Sequence, residues 1–411
     1  MTDTNAKSQE NMPLTEAIIN GWADNPNDAV ALHLKQKLLP VEGEGGVIFP
    51  PTYADIGYNI DTLSDGTKVA TIDSVGSQAN RMEPIFKREP YSKLVPQIEI
   101  ELHTKGDGGD KLIESRSILD LAHRGADAVV HASPTLAKLM QPAFLALRRG
   151  DAGPLCQLAP TSLVFGVWDS RGGSGEKRPR LIRSIIRAWD VDQLFAAAQF
   201  NSIWKYLDDQ QKDALKAEEK LPKRHGRSDV GLADAPSSFR KVGEAAARQM
   251  PEFRNGSPNP ERRILGGVIA RGPIERDVTI NLVALRAICG TIEQKENKAQ
   301  RDKADQTIRR YLLSLALVAA TADEDLFLRE GCHLRYAGSE QWDQVPRRGA
   351  PAPVDLTSPE ARQTILNYAK TQAKNFVGQW LQGDGLIHKF DLAAAKKLLA
   401  KKDGDEAAPT S

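Results

Sequence analysis

Cysteine is scarce in this chain: Cys156, Cys289 and Cys332 are the whole set among 411 residues. An odd number, widely spaced, excludes a disulfide framework and a spaced zinc site, and leaves the three as small buried hydrophobes. Long apolar runs are missing as well, so no segment of about 18 residues can cross a bilayer. The amino terminus, MTDTNAKSQENMPLTEA, lacks the basic region and apolar stretch of a secretory signal. The expected location is the cytoplasm, with no membrane partner. Net charge is nearly absent too, +1 from 55 basic and 54 acidic residues. Any anionic partner must therefore be met by local patches. What is present, 40% hydrophobic and 27% charged residues, is the composition of a globular protein long enough for one elaborated domain or two to three smaller ones.

Recognised catalytic and metal-binding spacings are also lacking. The seven histidines (His33, His103, His123, His131, His225, His333 and His388) form no ligand motif. His123 and His131 would share one side of a continuous helix, but about 12 Å of rise separates them, too far for one metal ion. The stretch Arg171-Gly-Gly-Ser-Gly-Glu-Lys177 fails as a phosphate loop because Arg178 follows the lysine. Leu265-Gly266-Gly267-Val268 lacks spaced glycines, and Asp323, Glu324 and Asp325 are adjacent and best solvated. No catalytic residue, metal or cofactor is assigned.

Periodicity places helices over 12–39, broken at Asn25-Pro26-Asn27, and over 117–130, 134–148, 302–322, 359–380 and 391–402. Strands are expected at 67–72, 97–102 and 161–168, then at 181–191, and the apolar pattern returns at 264–269. Residues 200–260, rich in charge, Pro and Gly, read as an insertion with helices at 201–220 and 238–249. A polar tail follows the last helix. The class is α+β, or mixed α/β, with large helical insertions.

Basic residues concentrate in one loop and the strand after it: Arg171, Lys177, Arg178, Arg180, Arg183 and Arg187 stand against Glu176 alone. Such a loop can wrap an extended phosphate chain without reading bases, or remain a solvated charged loop. Trp168 and Trp189 flank it; Trp168 is assigned to the core. Weaker patches are Lys216 to Arg227, and Arg262, Arg263, Arg271 and Arg276 around glycine turns. At the expected strand-to-helix junction DSVGSQANRMEP, residues 73–84, free backbone N–H groups with Ser74, Ser77, Gln78, Asn80 and Arg81 can meet phosphate. Ordinary capping with a solvated helix face is the alternative.

Three segments in order, Asp73–Glu83 (DSVGSQANRME), Leu119–Ala128 (LDLAHRGADA) and Thr161–Gly172 (TSLVFGVWDSRG), resemble the backbone subunit of type I-G, formerly I-U, CRISPR surveillance complexes, within the RAMP superfamily. The resemblance continues through Lys177–Leu181 (KRPRL) and is taken over 45–385. It implies an RRM-like, ferredoxin-like palm with large helical finger and thumb insertions. The implied division is an N-terminal helical extension at 1–45, a first palm part with a helical insertion and the basic loop at 46–199, and a thumb-like insertion at 200–260. Palm completion with C-terminal helices at 261–390 and a short helix with a tail at 391–411 complete it.

The implied function is non-catalytic, sequence-independent binding of CRISPR guide RNA by a filament of copies, with the guide paired to a target DNA strand and other surveillance-complex subunits as partners. Motif matching carries RNA contact onto Ser74, Gln78, Asn80, Arg81, Arg171, Lys177, Arg178, Arg180 and Arg183. His123, Arg124, Arg262, Arg263 and Arg271 are assigned to RNA contact or palm support. The aromatic motif of conventional RRMs is absent. Two alternatives stay open: a metal-independent endoribonuclease that processes precursor guide RNA, with His123 or His131 as base, and an assembly protein without direct RNA contact.

Overall fold

The computed structural model describes residues 13–53, 56–106, 109–170, 175–197, 207–211, 213, 263–290, 297–338 and 340–406. Five strands carry the architecture: β1 (Ala31–Pro40), β2 (Lys68–Asp73), β3 (Ile182–Trp189), β4 (Ile274–Asn281) and β5 (Cys332–Tyr336). They belong to a nine-stranded sheet in which β5, β1, β4, β3 and β2 lie side by side in that order. Every pairing along this path is antiparallel. Taken without β2, the order β5-β1-β4-β3 with helices in both crossovers is that of a ferredoxin-like βαββαβ unit. The strand β2 then extends the sheet beyond β3.

Side-chain alternation explains the layering. In β1, β3 and β4 the even-numbered residues are buried, among them Leu32, Leu34, Leu38, Ile182, Ile186, Ala188, Ile274, Val278 and Ile280. Half of this face packs on helices α1 (Glu16–Asp24), α2 (Val75–Met82), α3 (Pro134–Arg148), α4 (Pro160–Phe165), α5 (Lys298–Thr321) and α6 (Pro359–Val377). The other half closes on itself, with Ala70, Ile72, Ile186 and Ile274 against Leu326, Leu328 and Leu334 from the far edge of the sheet. The sheet is thus curled into a half-barrel, and its two edges meet where Arg329 pairs with Asp73 at 3.2 Å.

The central helix α5 starts with a reciprocal capping box between Asn297 and Gln300. From Tyr311 to Thr321 every residue is buried, as expected for a helix with no polar side in its second half. Tyr311 stacks on Phe376 of α6 at 4.5 Å and donates its hydroxyl to the Leu94 carbonyl at 2.6 Å. A last helix, α7 (Leu392–Glu406), follows as expected.

Three segments depart from the sequence expectation. Residues 31–39 form the central strand β1 rather than a helix, because Leu32, Leu34 and Leu38 share a face at period two. Within the expected helical extension at 1–45, the described residues therefore give one helix, α1, followed by a strand built into the sheet. Residues 160–165 form α4, opened by Pro160 in the first turn and ended by Gly166 at φ 82°; only Val167–Trp168 of the expected 161–168 strand pairs as one. The 117–130 helix is replaced by two 3-10 turns, Ile118–Asp120 and Arg124–Ala126, and the short helix Ala128–His131. The helix expected at 238–249, most of that at 201–220 and residues 407–411 lie outside the described residues.

Candidate nucleic-acid interface

Asp73 ends β2, and Ser74 caps α2 by accepting the Ser77 N–H at 3.3 Å. The polar residues that follow divide between two directions. Gln78 is fully buried; its amide nitrogen donates to Asp73 Oδ2 at 2.7 Å and its carbonyl accepts from Ser184 Oγ at 2.7 Å. Arg81 donates Nε to Asp73 Oδ2 at 3.1 Å and NH2 to the Leu328 carbonyl at 2.5 Å. Both residues therefore tie α2 into the curl of the sheet. A buried row continues through Ser184 to Arg276, whose guanidinium lies 3.6 Å from Glu324. Burial pushes the Glu324 carboxyl up, opposed by Arg276. What α2 turns outward is Asn80, with half-buried Ser74 and Ser77 and open space around Gly76.

The basic loop is borne on a short hairpin in which Val167 pairs with Arg178 and Trp168 with Lys177. Its base is closed by the Asp169 N–H to the Glu176 carbonyl at 2.8 Å and the Gly175 N–H to the Asp169 carbonyl at 3.2 Å. Buried His131 lies 3.0 Å from Asp169 and pins this base to the helix Ala128–His131. Trp168 is 60% exposed, not in the core, and Lys177 Nζ sits 5.5 Å from its ring centroid. Arg178 is held by Glu176 at 2.8 Å and by the Leu147 carbonyl at 2.8 Å. Arg180 is exposed, and its pKa is lowered by partial burial and by the neighbouring Arg124 charge.

Arg124, buried and at φ 55°, joins the two segments. It reaches the Gly166 carbonyl at 3.4 Å, Asn80 Oδ1 at 3.2 Å and the Glu83 carboxylate at 2.5 Å. Burial drives Glu83 up to about 7, with Arg124 opposing the shift. The Arg124 guanidinium is thus committed to these inward partners, whereas His123 is exposed.

The other sequence candidates lie on or beyond the sheet strands, or outside the described residues. Arg183 is exposed on the face of β3 opposite the buried one, in register with Thr279. Arg271 pairs with Asp192 at 2.8 Å beyond the opposite end of β4, roughly 20 Å along the strands. Arg171 and Arg262 lie outside the described residues, and Arg263 opens the strand Arg263–Ala270. Sequence reasoning missed other basic residues on the sheet face opposite the buried one: Lys35 and Lys37 lie in register with Asp277 and Glu275, and Arg335 with Leu39, while Arg187 of the basic strand also stands opposite Glu275. The signal was the polar half of the period-two pattern in β1.

Among the described residues, no group of three or more His, Cys, Asp or Glu is placed to hold a metal ion, and no helix is long and apolar enough to cross a membrane. Residues 32–193 match the family model of CRISPR-associated protein GSU0053 (Cas_GSU0053). The Cas_GSU0053 match runs from β1 to just past β3 and takes in α2, Arg124 and the basic hairpin. No curated protein matches the chain.

Proposed function

We propose that the chain is a non-catalytic guide-RNA-binding protein, the repeating backbone subunit of a type I-G CRISPR surveillance complex. The observation that carries the reading is the CRISPR-associated family match over 32–193, the span that holds both outward-facing polar segments. In this reading the ferredoxin-like sheet is the RRM-like palm of a RAMP protein, and its insertions act as finger and thumb, the thumb being residues 200–260 between β3 and β4. Copies of the chain line up along the guide, other subunits close the assembly, and the guide pairs with the target DNA strand.

RNA contact falls to the groups that face solvent. Ser74, Ser77 and Asn80 lie along the start of α2; Lys177 is in the hairpin, Arg180 and Arg183 follow it, and Trp168 offers a stacking plane. Gln78, Arg81 and Arg124 hold the shape of that surface from below. Contacts of this kind bind phosphate and sugar rather than base edges, so base pairing supplies the specificity.

The test is equilibrium binding of two single-stranded RNAs of equal length and unrelated sequence, followed by a denaturing gel. The reading expects equal affinities and intact RNA. Cleavage at a defined position, or binding to only one sequence, would contradict it.

A further inference from the structure

We propose that Asn80 and Arg180 form a single phosphodiester subsite, with buried Arg124 as the residue that positions both; this inference rests on the RNA-binding reading above. Three acceptors surround the Arg124 guanidinium: the Glu83 carboxylate, the Gly166 carbonyl and Asn80 Oδ1. Its planar fork lies 5.2 Å over the Phe165 ring, which limits its freedom to turn. Because Oδ1 of Asn80 accepts from below, the amide NH2 is left facing outward as a donor.

The same guanidinium fixes the other half of the subsite. Gly166, whose carbonyl it holds, is at φ 82°, and a Cβ there would lie 2.8 Å from Cγ of Arg180 and 3.1 Å from its backbone nitrogen. The Arg180 stem is therefore laid against Gly166, and only a residue without a side chain permits that approach. Arg180 has no carboxylate partner among the described residues, while Glu83 already answers the charge of Arg124. An amide NH2 and an unpaired guanidinium, both exposed, present donors only. A phosphodiester presents acceptors and negative charge only, and Arg binds it through paired N–H donors. Lys177 and Trp168 on the same hairpin favour an extended RNA strand over free phosphate.

The experiment is fluorescence anisotropy of a mixed-sequence single-stranded RNA with the full chain over a salt series. Asn80→Ala, Arg180→Ala, the double variant and Arg124→Lys are compared, each checked for folding by circular dichroism. N80A and R180A each weaken binding about fivefold, and the double variant loses clearly less than the product because both groups hold one phosphate. R180A lowers the salt slope by about 0.7, whereas N80A and R124K leave it unchanged. R124K keeps its pairing with Glu83 but cannot bridge three acceptors, so it weakens binding with the charge count intact. Excess inorganic phosphate that abolishes the R180A effect without displacing the RNA assigns the subsite to the free ion and overturns the proposal. Independent effects of N80A and R180A, or none while Lys177→Ala and Arg183→Ala still weaken binding, overturn the subsite and leave the RNA reading standing. Failure of the unaltered chain to bind RNA overturns both.

Discussion

Asp73 holds two guanidinium groups at once, Arg81 from the helix beside it at 3.1 Å and Arg329 from the opposite edge of the sheet at 3.2 Å. One carboxylate, only 1% exposed, thereby fastens the curl of the half-barrel and orients α2. The hydrogen-bonding capacity of the 73–84 stretch is spent largely inward, on this junction.

Asp73→Asn should cost about 3 kcal/mol, because removing one partner of a buried ion pair leaves the other charges uncompensated. Urea unfolding measures it as a lower midpoint with an unchanged slope. A loss below about 1 kcal/mol would mean that solvent already serves both arginines.

Glu83 gives the fold a pH dependence. Its carboxyl lies above the ordinary value of 4.5, at about 7 in the folded chain, so the native state holds a proton that the unfolded chain releases. Its contribution to stability is most favourable below 4.5 and is lost as pH rises through about 7. Glu83→Gln should flatten this part of the stability profile. An equal slope in the variant, measured by urea midpoints across that range, would assign the titration to other groups.

Trp168→Ala separates surface from core. An exposed ring should cost no more than about 0.5 kcal/mol of stability, against about 3–5 kcal/mol for a core tryptophan such as Trp22. Its loss should weaken RNA binding by about 1–3 kcal/mol if a base stacks there. Thermal melting and RNA titration of the same sample check both halves; a large drop in melting temperature with unchanged affinity would return Trp168 to a packing role.

Lys177, Arg180 and Arg183 changed together to alanine should weaken binding to all sequences alike and reduce the salt slope by about 2. Arg81 does not belong in this set, since its charge is committed to Asp73. An unchanged slope in the triple variant would remove these side chains from the interface.

Much of the helical layer was legible in the sequence, because α3, α5, α6 and α7 carry long periodic patterns. The strings that carry the resemblance, within 73–83, 119–128, 161–172 and 177–181, lie inside the span 32–193 that matches a CRISPR-associated family model. Legibility failed where a decision depended on distant partners. Leu32, Leu34 and Leu38 fit a helix as a list of leucines, and become a strand only when β4 and β5 lie beside them. The run 160–165 is buried throughout, so no alternation distinguishes helix from strand. Gln78 and Arg81 looked like ligand groups because their partners, Ser184 and Leu328, stand 106 and 247 residues away. Trp168 gave the opposite error, since an apolar residue in an apolar run carries no sign of the turn made at Gly166.

The most direct measurement of the central claim is mass photometry of the purified chain with guide RNAs of two lengths, beside a sample without RNA. A backbone subunit predicts a ladder of complexes on intact RNA whose highest step rises with RNA length. One copy per RNA at both lengths, or no association at low salt, would contradict it.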